Sequence, residues 1–184
     1  SLGQEFHGWG TTIGEEVQRI AEVRQFLHEI NLGATAIGTT VTAAPGYPEL
    51  ATKHLSQITG QKFILAGDLE EATSDTGAYV LLSGVLKRTS SKLTKICNDL
   101  RLLASGPRCG FNEINLPQMQ PGSSIMPGKV NPVIPEVVNQ VGFLVIGLDL
   151  TVTLAASAGQ LQLNVMEPVI TFARFTSIAT MEHA

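Results

Sequence analysis

Two adjacent hydroxyls, a lysine and an asparagine stand within nine residues of one another in the stretch Pro121-Gly122-Ser123-Ser124-Ile125-Met126-Pro127-Gly128-Lys129-Val130-Asn131-Pro132. Ser123, Ser124, Lys129 and Asn131 bring hydroxyl, ammonium and amide donors that suit a carboxylate, and Gly122 lets backbone amides approach a ligand closely. This makes the stretch a candidate anion site. Pro117, Pro121, Pro127, Pro132 and Pro135 are five of the nine prolines of the chain, so the segment is neither helix interior nor central strand. The residues alone leave open a working loop or a solvated proline-glycine connector.

The elements that flank the stretch must position it. The apolar run beginning at Ile134 reads as a helix whose first turn holds Pro135 and Glu136, which would set free amides and the positive dipole end beside the loop. Ile134, Val138, Val141, Val145, Leu148 and Val152 step by fours and threes, and the other faces are apolar too, so this helix is expected to be buried all round by neighbours from other chains. Its length would suit a membrane span, but Asn139, Gln140, Asp149, Thr151 and Thr153 interrupt it and no basic flank orients it.

Upstream, Leu82, Leu86, Thr89, Leu93, Ile96, Leu100 and Leu103 form a seam of three heptads, which predicts a long helix running to about Ala104 and stopped by Ser105-Gly106-Pro107. Ile13, Val17, Ile20, Val23, Leu27 and Ile30 predict an amphipathic helix ending near Asn31-Leu32-Gly33, with Glu15, Glu16, Arg19, Glu22 and Arg24 as its solvated face. The small, hydroxyl-bearing run Asn31 to Thr40 suits a tight turn against neighbouring backbone and lacks the ending of a phosphate loop. A short helix follows from Pro48 to Ile58, closed by Gly60, and a last one opens at Pro168. Asp99 and Arg101 read as surface or interhelix pairs, and Arg108, Asn112 and Glu113 as braces of the loop or solvated groups.

A chain of 184 residues with 43% apolar and 15% charged positions is globular in class, and it is read as one helical domain over residues 1–184. A net charge of -4 without a dense Lys/Arg cluster argues against a nucleic-acid partner. Cys97 and Cys109 lack metal-ligand spacing and read as free thiols of a reducing compartment, the cytoplasm. Ser1 at the start and unbroken helix at the end suggest a fragment of a longer protein.

Gly122 to Pro132 resembles the signature loop of the aspartase/fumarase superfamily. Asn31 to Thr39, Pro132 to Val141 and Gly159 to Pro168 resemble the aspartase branch more than the class II fumarases. The resemblance implies an all-α subunit, a long-helix bundle completed by oligomerisation as a homotetramer, and cofactor-free removal of ammonia from the small dicarboxylate L-aspartate to give fumarate. By the same resemblance Ser123 matches the general base, Ser124, Lys129 and Asn131 match positions that bind substrate carboxylates, and Glu136 matches a carboxylate that pairs with a histidine.

These residue types fit that chemistry. Removing a carbon-bound proton beside a carboxylate drives negative charge onto it, and preorganised donors are the largest help available. A serine serves as base only where its alkoxide is stabilised. No metal is implied. The family's upstream motifs, including a Thr-His pair, have no counterpart here, and none of His7, His28, His54 or His183 sits in such a context, so Glu136 lacks its expected partner within this chain. The alternatives are a class II fumarase or another succinyl-type lyase, and, of another class, a catalytically incomplete helical scaffold.

Overall fold

Leu82, Leu86 and Thr89 of the heptad seam are buried along α4 (Gly77–Leu103), the longest element of the chain. The structure, a computed structural model, describes residues 1–184. In chain order the other elements are α1 (Leu2–Val23), β1 (Glu29–Ile30), α2 (Tyr47–Thr59), β2 (Ile64–Leu65), the short α3 (Glu71–Ser74), α5 (Val133–Ser157) and α6 (Glu167–His183). The fold is mainly helical, as expected.

Most expected elements fall where their punctuation puts them. Gly60 closes α2 in the left-handed conformation at φ 67°, and its amide donates to Ser56 O. α5 and α6 begin within a residue or two of the positions read from Ile134 and Pro168.

The first helix differs. It starts at Leu2 and stops at Val23, followed by a 3-10 turn at Arg24–Leu27. Gly3, Gly8 and Gly10 weaken the helical signal at its start. At its end a competing pairing wins: Glu29–Ile30 runs parallel to Ile64–Leu65, with Ile64 N donating to His28 O at 2.9 Å and Ala66 N to Ile30 O at 2.9 Å. Nor are all its charges solvated. Glu16 is buried, because α4 supplies cations to meet it.

The chain packs as two units. One comprises Ser1–Glu16, Leu86–Gly147 and Thr176–Ala184. Here Glu16 accepts from Thr89 Oγ1 at 3.2 Å and pairs with Arg88 Nη2 at 2.9 Å and with the Lys92 ammonium. Burial pushes the Glu16 carboxyl up, but hydrogen bonds from Lys92 and Thr89 and the Lys92 and Arg88 charges outweigh it and hold the group below the ordinary carboxylate range.

The other unit comprises Val17–Val85 and Leu148–Phe175. Val152, Ala155, Ile170 and Ala173 form its core, with Tyr79, Val80 and Leu148 packed against them. Ser83 Oγ donates to the buried Asp149 carboxylate at 2.8 Å. Asn164 joins the end of α5 to the start of α6: its Nδ2 donates to Ala155 O and Ala156 O, and its Oδ1 accepts from Met166 N at 2.8 Å. Gly38 lies so close to Glu70 that a β-carbon would come within 2.3 Å of its Cα, so the glycine-rich run does pack against neighbouring backbone.

α5 is long and apolar enough to cross a membrane by length and composition. In this chain Val145 and Val152 are buried, but Phe143, Leu150 and Leu154 are each about 60% exposed (61%, 59% and 61%). One side of the helix expected to be enclosed is therefore uncovered by its own chain.

Candidate active site

α4 ends at Leu103, and the irregular chain that follows folds back on that end. Glu113 N donates to Leu103 O at 2.9 Å, Asn112 N to Ser105 O at 2.7 Å and Phe111 N to Ser105 Oγ at 3.1 Å. Gly110 fits against Ser105 only because it has no side chain: a β-carbon there would stand 2.3 Å from Ser105 C. Thus Asn112 and Glu113 tie the segment after α4 back onto the end of that helix through their backbones, while Arg108 is exposed.

The stretch from Gly122 to Asn131 is closed on itself. A β-carbon on Gly122 would lie 1.7 Å from Lys129 O, and Asn131 Nδ2 donates to Gly122 O at 3.0 Å. With both ends tied, it is a compact loop of the omega type. Asn131 therefore spends one N–H on the loop and retains the other N–H and its side-chain carbonyl for a ligand.

Ser123 sits at the start of this loop, half-buried, and its Oγ accepts from Ile125 N and Met126 N, both at 3.1 Å. Two amide dipoles aimed at one hydroxyl oxygen favour its anionic form, which is what a serine base requires. Ser124 and Lys129 are exposed on the same loop.

α5 contributes less than its sequence suggests. Of its first four positions, Val133 N is already taken by Asn131 O at 2.9 Å, Pro135 has no N–H, and Glu136 N donates to Pro132 O at 3.1 Å. The donors that meet Ser123 come from inside the loop.

Glu136, on the first turn of α5, faces Arg101 of α4 with Oε1 4.0 Å from Nη2, both side chains about two-fifths exposed. Arg101 is thus the interhelix pair expected of it, while Asp99 pairs with Lys95 along α4. Cys97 lies beside Arg101; burial pushes its thiol up, the Arg101 charge only partly offsetting this, so it is an inert core group. Cys97 and Cys109 are both free thiols. Three surface hollows lie among residues such as Lys53, Asp75 and Ala156, and no loop residue lines any of them.

Sequence reasoning missed the contacts that tie the start of α5 to the end of α4. Asn98, Thr94 and Arg101 on one helix and Glu136, Asn139 and Gly142 on the other are polar or small groups at three- and four-residue spacing inside apolar runs. That spacing was the available signal.

A loop of serines, lysine and asparagine thus closes just before the long apolar helix α5, in a mainly helical chain. The family model described as "Lyase" matches residues 1–147, and the chain belongs to this lyase family. Over its whole length it is 63% identical to the aspartate ammonia-lyase of Pseudomonas aeruginosa, 58% to that of Helicobacter pylori and 60% to that of Escherichia coli strain K12. The chain spans 39%, 39% and 38% of these proteins, about two-fifths of the length of the curated relatives it matches. Among solved structures, a fumarate lyase:delta crystallin from Brucella melitensis bound to cobalt is 55% identical with a TM-score of 0.95, covering 99% of this chain and 40% of that one. A class II fumarase from Schistosoma mansoni is 34% identical with a TM-score of 0.87, at the same coverage. The preference of the sequence for the aspartase branch over the fumarases agrees with these identities.

Proposed function

We propose that this chain is the central part of an enzyme that removes ammonia from L-aspartate to give fumarate, and reversibly adds it back. The observation that carries the reading is the closed loop with two backbone amides on Ser123 Oγ, in a chain 63% identical throughout to an aspartate ammonia-lyase. In this reading Ser123, as alkoxide, takes the proton from the carbon beside a substrate carboxylate. The electron pair released by that C–H bond moves onto the carboxylate, and then expels the amine from the neighbouring carbon as the C–N bond breaks. Lys129, Ser124 and the remaining N–H of Asn131 meet the carboxylate on which charge builds. Glu136 supports the site from the first turn of α5.

Ser124 and Lys129 are exposed in this chain, which supports a site completed by further protein. The uncovered side of α5 supports a homotetramer, with the partners being copies of the same chain. The chemistry asks for no cofactor, and the composition offers nothing for a nucleic acid or a membrane surface. The bacterial relatives support a soluble, cytoplasmic enzyme. The test is direct: full-length protein containing this chain, incubated with L-aspartate, should release fumarate measurable by its ultraviolet absorbance. Fumarate from L-malate and none from L-aspartate would replace this reading with that of a fumarase.

A further inference from the structure

Within the first unit, α4 and α5 run past one another in opposite directions and meet through a ladder of polar and small residues. Glu136 faces Arg101, the side-chain amides of Asn139 and Asn98 lie 2.8 Å apart, and Gly142 lies against Thr94. Three and six residues on from Glu136 along α5 correspond to three and seven residues back from Arg101 along α4, the spacing of one continuous face on each helix. Asn139 is buried; with its amide and that of Asn98 both turned, its oxygen accepts from the Asn98 NH2 at 2.8 Å and from Arg101 Nη1 at 3.3 Å, while its NH2 donates to Thr94 O at 3.3 Å. A β-carbon on Gly142 would stand 2.4 Å from Thr94 Oγ1, so the helices touch there. A one-residue slip would leave the buried amide of Asn139 unpaired, so the ladder fixes the register of α5 on α4.

That register decides where the loop ends. Asn131, whose side chain ties the loop shut, lies two residues before α5, and its carbonyl accepts the first amide of that helix. We propose that Arg101, bridging Glu136 and Asn139 from α4, is a positioning residue that holds the first turn of α5, and with it Glu136 and the closed loop, in the geometry the reaction needs. This rests on the lyase reading above for its kinetic consequence but not for its structural one. Arg101 touches no reacting atom in this scheme.

The test uses full-length protein and the variants Arg101→Gln, Arg101→Lys and Glu136→Gln, singly and with Arg101→Gln and Glu136→Gln combined. The Arg101 side chain is 43% exposed, so its removal should leave the cores in place, which the melting temperature of each variant checks. Arg101→Gln should lower kcat about 10²-fold with KM for L-aspartate changed by about twofold or less, the mark of misplaced chemistry and not of lost binding. Arg101→Lys, which keeps the charge but not the fork, should recover part of the loss. The double variant should be little worse than the worse single one, since both act through one contact. Lys95→Ala, on the outer face of α4, serves as the control and should match the parent. A kcat for Arg101→Gln within about twofold of the parent, or losses that simply multiply in the double variant, would overturn the proposal. Should the parent release no fumarate, the lyase reading fails, and amide hydrogen exchange then decides the ladder. Exchange at Val133, Ile134, Glu136 and Val137 should be about tenfold faster in Arg101→Gln, and unchanged exchange there would overturn it.

Discussion

The carbonyl oxygen of Lys129 occupies the space that a side chain on Gly122 would need, with a β-carbon falling 1.7 Å from it. One close backbone approach therefore sets the width of the loop that carries Ser123, Ser124 and Lys129. Gly122→Ala has to spread the loop, and a shift of about 1 Å at the base or the carboxylate donors costs on the order of 10²-fold in rate. Full-length Gly122→Ala protein should lose deamination by that factor or more while melting within a few degrees of the parent, because the loop contributes little to either core. Wild-type turnover in this variant would show that the approach has no bearing on the reaction.

Ser123 and Lys129 should separate kinetically. If Ser123 is the proposed base, Ser123→Ala should lower kcat by roughly 10² to 10⁴-fold, and it also removes the oxygen that accepts from Ile125 N and Met126 N. KM should move little. In the proposed mechanism Lys129 meets carboxylate charge that is present in the bound substrate and grows in the transition state, so Lys129→Ala should raise KM and lower kcat together. Steady-state kinetics on purified oligomer decide it. Near-normal turnover in both variants would return the stretch to a mere connector.

The loop was legible because proline, glycine, serine, lysine and asparagine crowd one short stretch, and α4 and α5 because their apolar residues repeat every three or four positions. Other features depend on partners distant in sequence. Glu16 looks like one more surface charge on α1 until Arg88, Thr89 and Lys92 are folded against it. Arg101 and Glu136 lie on separate helices with the whole loop between them, and the spacing of polar groups marks a face on each helix without naming its partner. β1 and β2 are two residues each, too short for any alternation to show.

Glu16 makes stability depend on pH in a defined direction. Its folded-state pKa is held below the ordinary value, so the unfolded chain binds the proton more readily. The stabilisation it gives is complete above about pH 5 and is lost as pH falls below about 4. Glu16→Gln should flatten that acid limb of the melting temperature. Glu16→Ala at neutral pH should cost about 1–3 kcal/mol, for the lost hydrogen bonds and the buried gap, since Lys92 keeps its pairing with Glu15 and Arg88 is 43% exposed. An acid limb unchanged in Glu16→Gln would assign the loss to other carboxylates.

The exposed side of α5 leads to the last prediction. Phe143, Ile146, Leu150 and Leu154 recur at helical spacing and are all exposed in the single chain, Phe143, Leu150 and Leu154 to about 60% (61%, 59% and 61%). Soluble monomers rarely leave so continuous an apolar stripe in water, and burying a Leu or Phe side chain is worth about 1.5–3 kcal/mol. In the proposed homotetramer, α5 and its neighbours from other copies would cover the stripe and make it the centre of a multichain bundle. Leu150→Glu in the full-length protein should then shift sedimentation from the oligomer to smaller species at micromolar concentration, because a carboxylate at the centre of an apolar interface has no partner. Lys95→Ala, away from the stripe, should sediment as the parent does. A parent protein that sediments as a well-folded monomer, with Leu150→Glu behaving alike, would mean that this face of α5 is covered by something other than a second copy of the chain.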